Sequence, residues 1–292
     1  MPQAPGTVSK ILWHFTGGPK WNPRRNCQAK LRKPETDAYS ALLSILRSRE
    51  LKLGDYREVV KVQVPKQRQR DERTGESKIV KNAVIELESV PVCCVSDIPI
   101  AHLSYQAHRY GRIAVGFHRK AVVRHGFNPV FYSLHHTDVL QSMYRGFEEL
   151  VSVDASEIDS LASDLQSSTT SAQCEECDHE FEVDADISGG IDEIQSAAQN
   201  IQGAVSTAEE DLRKFLAFVK TFGPREFSTI YCEREWRSTQ PFRFKNQDVA
   251  MIILPKRSAS RSFFDDFVKT RAKGLRIHRS IPVVPWEDLI EH

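Results

Sequence analysis

A long central stretch without any basic side chain divides the chain into two groups of strand-like segments. No Lys or Arg occurs between Arg145 and Arg213, and residues 146–212 hold 18 of the 39 acidic residues. On both sides of this stretch, short apolar runs bounded by turn residues predict β-strands. The order of strand, helix, strands, helix, strands, helical stretch and strands predicts an α+β fold with a mostly antiparallel sheet. Both ends of the chain are expected to contribute to that sheet.

The acidic stretch also sets the predicted domain organisation. Residues 1–148 are predicted to form the N-terminal part of the α+β core, and residues 223–292 supply strands that complete it. Residues 149–222 are predicted to be an acidic, largely helical insertion rather than a separate C-terminal domain.

Positive charge is concentrated outside the acidic stretch. The whole chain has a formal net charge of +1, but subtracting the 18 acidic residues of 146–212 from 39 leaves 21 against 40 basic residues, a surplus of 19. Such a surplus attracts polyanions such as nucleic acid, or a phosphate-bearing cofactor. Two interpretations of the acidic stretch stay open: a solvated linker, or a segment that folds back over the basic surface and competes with its ligand.

The chain shows no sign of membrane insertion or export. No apolar run reaches the roughly 18–20 residues that span a bilayer, and the first ten residues, MPQAPGTVSK, lack a basic-then-apolar signal pattern. The 6 cysteines are irregularly spaced, which fits a reducing compartment. We therefore expect a cytoplasmic protein.

The stretch WHFTGG ends the first predicted strand with polar side chains and two glycines. Side chains alternate faces along a strand, so His14 and Thr16 point the same way. Gly17 and Gly18 allow a ligand to approach the backbone closely. The pair could hydrogen-bond a ribose or an amide edge. Alternatively, His14 is a buried histidine whose hydrogen bonds are satisfied within the protein.

A later predicted strand, YCEREWRST, carries charge on alternate positions. Glu233, Glu235 and Arg237 share one face, while Trp236 lies on the other and anchors the strand in the core. Unpaired charges are costly to bury. The charged face is therefore expected to be either a solvent-exposed ladder of ion pairs or a functional site.

Taken in order, these motifs resemble the layout of ADP-ribosyltransferases. A strand with His-x-Thr is followed by a helix, a strand that ends at Ser96, and a late strand that carries glutamate. The resemblance implies that His14 holds the ribose of NAD, that Ser96 lies near the nicotinamide, and that Glu235 stabilises an oxocarbenium-like transition state, with Glu233 as the alternative carboxylate. The candidate residues for binding NAD as co-substrate are His14, Thr16, Gly17, Ser96 and Arg237.

Several longer stretches resemble the AbiGi-type abortive phage-infection family. They are WHFTGG, CCVSDIPIAHLSYQAHRYGRIAVGFHRKAVVRHGFNPVFY, FVKTFGP and YCEREWR. This resemblance implies bacterial antiphage defence and a role in a toxin–antitoxin system, with a cognate toxin, antitoxin or phage protein as partner. The acidic, cysteine-containing insertion is not part of the family pattern.

The insertion contains CEECDH, which provides half of a zinc site. Cys174, Cys177 and His179 are metal-ligand types, but tetrahedral zinc needs a fourth ligand, and no second Cys-x-x-Cys is present. Exposed thiols in an acidic loop are the favoured interpretation, so zinc is not expected, although dimerisation could complete a site.

Two functional hypotheses follow. In the first, the protein is an ADP-ribosyltransferase-like effector that cleaves NAD and modifies a macromolecule. In the second, it is a non-catalytic component of a defence operon that binds a partner toxin, a phage protein or nucleic acid. A metal-independent nuclease that uses His14 and Glu235 is a weaker third option.

Overall fold

The structure is a computed structural model, and it describes most of the chain. The described residues are 9–22, 27–29, 31–70, 77–152, 160, 170–173, 180–183, 188–226, 233–258, 261–275 and 277–289.

The described part of the chain contains six α-helices and seventeen strands, most of them short. The helices are α1 Glu35–Ser48, α2 Leu103–Tyr110, α3 Arg119–Arg124, α4 Asp138–Val151, α5 Ser188–Leu216 and α6 Phe263–Ala272. The strands are β1 Ile11–Phe15, β2 Trp21–Asn22, β3 Cys27–Gln28, β4 Glu50–Leu51, β5 Arg57–Arg70, β6 Ser77–Pro91, β7 Cys93–Ser96, β8 Ala114–His118, β9 Asn128–Pro129, β10 Phe131–Leu134, β11 Thr170–Gln173, β12 Glu180–Val183, β13 Val219–Phe222, β14 Glu235–Ser238, β15 Phe242–Arg243, β16 Val249–Leu254 and β17 Val283–Pro285. None of the helices in this part of the chain is both long and apolar enough to cross a bilayer.

The central sheet has seven strands in the order β17-β16-β8-β1-β7-β14-β9. Its neighbouring strands are antiparallel except for β16 and β17, which are parallel. Strands from both sides of the acidic stretch contribute to this sheet, which confirms the predicted α+β fold with a mostly antiparallel sheet.

The middle strand β1 sends side chains into a core on each side of the sheet. Leu12 packs with buried residues such as Val115 and, from α1, Leu42. Its neighbour Trp13 packs on the opposite side with Leu103 and Trp286. Because successive strand residues point to opposite faces, this pattern shows that both faces of β1 are covered.

A long hairpin, formed by β5 and β6, pairs as a separate two-stranded ribbon. The strand-like stretches YREVVKVQVPK and SKIVKNAVIELESV, with the charged stretch KQRQRDERTGE between them, predict such a hairpin. The structure confirms it. On the inner part, Val60 and Val62 are fully buried.

The chain divides into two compact units. Residues 1–137 and 214–292 form the first unit, which contains the seven-stranded sheet and the β5–β6 hairpin. Residues 138–213 form the second unit, which contains α4, the β11–β12 pair and most of α5.

Candidate functional site

A cavity of about 320 Å³ opens beside the junction of β1 and β7 in the first unit. These two strands register at one described residue pair, Trp13 with Ser96, whereas β1 and β8 register over their full length. The cavity is lined by His14, Phe15, Gly18, Lys52, Gly54, Tyr56, Val92, Cys93, Cys94, Ser96, Arg109, Tyr110, Lys220, Glu233 and Glu235. The structure thus brings four predicted site residues to one cavity: His14, Ser96, Glu233 and Glu235.

His14 is held across the junction by the backbone of β7. Its Nδ1 lies 2.9 Å from the carbonyl oxygen of Cys94. A carbonyl can only accept, so Nδ1 carries the proton and donates. Burial lowers the pKa of His14, and the nearby Lys33 lowers it further. The imidazole is therefore neutral near pH 7, and its Nε2 can accept a hydrogen bond.

Glu235 is held as a carboxylate by two cations. It pairs across the sheet with Ser96, and its Oε2 accepts from Arg237 at 2.9 Å and from Lys220 at 3.3 Å. Burial alone would raise the pKa of Glu235, but Arg237 and Lys220 outweigh burial and hold it well below its usual range. The neighbouring Cys94 has a pKa raised by burial and by Glu235, so its thiol stays protonated and hydrogen-bonds to this carboxylate.

Arg237 supports the site from the protein interior. Its side chain is completely buried, donates to the carbonyl oxygen of Ala217 at 2.8 Å, and also binds the carboxylate of Glu58. Its guanidinium lies 5.7 Å from the ring centroid of Tyr56. Arg237 reaches Glu235 rather than the cavity itself. The solvent-exposed ladder considered for this strand is therefore wrong, because the charged face is buried and paired.

The sequence analysis did not identify the two cations that bind Glu233 at the cavity. Glu233 is buried and accepts from Lys220 of β13 and from Arg109 at the end of α2. Burial alone would lower the pKa of Lys220, but Glu235, Tyr56 and Glu233 raise it well above its usual range. A lysine within the apolar run FVKTF was the available signal, because such a residue needs a partner when it is buried.

Thr16 and Gly17 lie beside the cavity without lining it, and both contact other parts of the first unit. The Thr16 hydroxyl donates to the carbonyl oxygen of Ile113 at 3.4 Å, and the residue is almost completely buried. A Cβ on Gly17 would lie 2.6 Å from the carbonyl oxygen of Tyr110. Gly17 thus lets β1 approach the end of α2, and the next residue, Gly18, lines the cavity.

The proposed zinc ligands Cys174, Cys177 and His179 lie outside the described residues, so that candidate stays a prediction. Within the described ranges, no group of three or more His, Cys, Asp or Glu residues is arranged to hold a metal ion.

A family model covers most of the chain. The family described as "Putative abortive phage resistance protein AbiGi, antitoxin" matches residues 58–287. The chain belongs to the AbiGi family. The matched range of AbiGi includes Ser96, Lys220, Glu233 and Glu235 but begins after β1, so His14 lies outside it. Comparisons with curated proteins and with solved structures give no match.

The AbiGi match confirms the predicted family and its link to abortive phage resistance. The family description adds the label antitoxin, which fits the expectation of a cognate toxin as partner. None of the comparisons supports the ADP-ribosyltransferase-like layout, which stays a prediction.

Proposed function

We propose that this AbiGi chain acts in abortive phage infection by cleaving NAD and transferring ADP-ribose to a macromolecule. The observation that carries the proposal is the meeting of His14, Ser96 and Glu235 at one cavity, with a neutral imidazole and an ionised carboxylate. At about 320 Å³, the cavity lies at the lower end of the roughly 300–1,000 Å³ range of ligand pockets.

Each residue has a separate role in the proposed reaction. Nε2 of His14 accepts a hydrogen bond from a ribose hydroxyl, and the Ser96 hydroxyl contacts the nicotinamide. The bond between the anomeric carbon and nicotinamide breaks, and nicotinamide leaves with both electrons of that bond. Positive charge then develops on the sugar, and the Glu235 carboxylate stabilises it. A nucleophile on the target forms the new bond to the anomeric carbon and releases its proton.

The test compares two carboxylates that share one arginine. Glu235 and Glu58 both bind Arg237, but only Glu235 lines the cavity. Purified wild type, Glu235→Gln and Glu58→Gln are incubated with NAD and cell extract. Nicotinamide release and label transfer are then measured at a temperature where all three are folded. Removal of a stabilising charge is expected to cost about 10²–10³-fold in rate, so Glu235→Gln should lose that much and Glu58→Gln only a few-fold.

Two results would contradict the enzymatic proposal. One is a wild-type protein that releases no nicotinamide and whose melting temperature does not change with NAD. The other is an equal loss of rate in Glu235→Gln and Glu58→Gln, since the effect would then arise from the shared ion-pair network.

A second candidate function is supported by the family description. We propose as the alternative that the chain is an antitoxin that neutralises a cognate toxin by binding it, without catalysis. Co-expression with that toxin, with growth as the readout, separates the two functions. An antitoxin that acts by binding still protects cells when it carries Glu235→Gln or Ser96→Ala, whereas protection that depends on turnover is lost in both variants.

A further inference from the structure

In the inner half of the β5–β6 hairpin, residues 57–64 and 83–91, acidic side chains on β6 pair with basic side chains on β5. Lys61 lies directly opposite Glu86, with Nζ 3.0 Å from the carboxylate. Arg57 lies 3.0 Å from the carboxylate of Glu88. Opposite charges across a strand pair are favourable. In this half, the ladder supplies each of these cations with a partner.

In the outer half of the hairpin, basic side chains lie opposite basic or neutral ones. We call residues 65–70 and 77–82 the basic ribbon; their sequences, PKQRQR and SKIVKN, contain five basic residues and no acidic one. The linking sequence DERTGE adds one basic and three acidic residues, so residues 65–82 have a net charge of +3. Lys66 registers directly opposite Lys81, and Lys78 opposite Gln69. All three lysines are exposed. Like charges directly opposite each other destabilise a strand pair, so folding alone does not favour this arrangement.

The backbone changes where the basic ribbon begins. Pro65 cannot donate to the ladder, and its neighbour across the strands, Asn82, has a φ of 52°. Proline within a sheet is confined to edges and irregularities. Beyond this point Ile79 is 66% exposed, so the ribbon carries an apolar side chain in solvent among its lysines.

We propose that the basic ribbon binds double-stranded DNA by entering the major groove. The major groove admits a two-stranded β-ribbon, and phosphates on both sides of the groove attract lysine ammonium groups. An exposed aliphatic side chain such as Ile79 can contact the methyl group of thymine. None of the ribbon residues lines the cavity, so this surface is independent of the proposed NAD site.

The experiment measures binding of the full chain to a fluorescent duplex by anisotropy over a salt series. Each phosphate contact contributes about 0.9 to the slope of log K against log salt. The variant K66Q/K78Q/K81Q should therefore lower that slope by about 2.7 and weaken binding at least about tenfold at low salt. The arginine variant K66R/K78R/K81R keeps the charges and should retain binding.

A matched control removes the same charge elsewhere. Lys120, Lys269 and Lys273 are exposed residues on or beside α3 and α6. K120Q/K269Q/K273Q should leave binding within about twofold. Equal losses in the two glutamine variants would overturn the proposal, since total charge would then explain binding. It is also overturned if wild type does not bind the duplex, or if it binds single-stranded RNA or phosphatidylserine vesicles as tightly.

Discussion

At the scale of single residues, the site depends on one buried guanidinium. Arg237 is fully buried and binds two carboxylates, those of Glu58 and Glu235. Removing one partner from a buried ion pair leaves an uncompensated charge. Arg237 therefore orients Glu235 and also stabilises the first unit, so the two effects need separate measurements.

We predict that Arg237→Met lowers the free energy of unfolding by about 3–5 kcal/mol, because two buried carboxylates lose their shared partner. Urea unfolding at neutral pH measures this loss. The double variant Arg237→Met/Glu58→Gln should recover part of it, since one of the two stranded charges is removed. A loss below about 1 kcal/mol in the single variant would show that the network contributes little to stability.

His14 gives a prediction about pH. Burial lowers its pKa in the folded state below the unfolded value of about 6.5. The unfolded chain therefore takes up a proton first, and the stabilising contribution present above about pH 6.5 is lost as pH falls through the folded pKa. His14→Gln should flatten the pH dependence of unfolding in this range. A wild-type slope in His14→Gln would contradict this prediction.

Sequence reasoning identified the residues on strands better than their supporting partners. Alternation along β14 correctly put Glu235 and Arg237 on one charged face. Glu233 precedes the strand, beyond the irregular Arg234, and joins the same cluster through Lys220. Alternation could not show that Glu58 and Lys220 would meet them, because these residues come from distant strands whose pairing no local pattern encodes.

At the scale of elements, the end of α2 positions the mouth of the cavity. The chain leaves α2 at Gly111, whose φ is 80°, and Tyr110 packs against Gly17 and Gly18. Glycine tolerates this φ without steric cost. A glycine directly after a helical pattern such as IAHLSYQAHRY predicts a helix end, and α2 does end at Tyr110, directly before Gly111.

We predict that Gly17→Ala destabilises the protein by about 1–3 kcal/mol, because the added Cβ would lie 2.6 Å from the backbone oxygen of Tyr110. Thermal unfolding measures the effect. Gly54→Ala is the control, since its Cβ would meet nothing closer than 3.8 Å. If both variants melt like wild type, the α2 end is not held against β1 as tightly as described.

Element boundaries were predictable where turn chemistry marked them, and less so elsewhere. From residue type alone, Thr36 or Asp37 is the expected N-cap of α1, but the helix begins at Glu35 after Pro34, without a side-chain cap. The late strand YCEREWRST was expected over residues 231–239. β14 covers Glu235–Ser238 and follows Arg234, whose φ of 40° interrupts the regular strand, and residues 227–232 lie outside the described ranges.

At the scale of the whole molecule, the fold class followed from the sequence but the strand order did not. Short apolar runs on both sides of the acidic stretch were enough to predict an α+β sheet built from both chain ends. The order in which β8, β1 and β7 lie between later strands depends on long-range pairing, which has no signature in local periodicity.

We predict that the protein binds both cation and anion exchangers near its isoelectric point of about 7.7. The reason is charge segregation. The Asp, Glu, Lys and Arg residues of 146–212 are all acidic, and the rest of the chain has a surplus of 19 basic residues. Retention on sulfonate and on quaternary ammonium resins at pH 7.7 in low salt measures this. Flow through both columns would contradict it, and added salt should release the protein from each.

The strand order also has a consequence for synthesis. The three strands β8, β1 and β7 are translated early, but the partners of their outer edges, β16 and β14, emerge much later. On the ribosome, a nascent chain that stalls before Val249 leaves the edge of β8 open to pairing with other unfinished copies. Incomplete chains that end before Val249 should therefore aggregate rather than accumulate as a partly folded form.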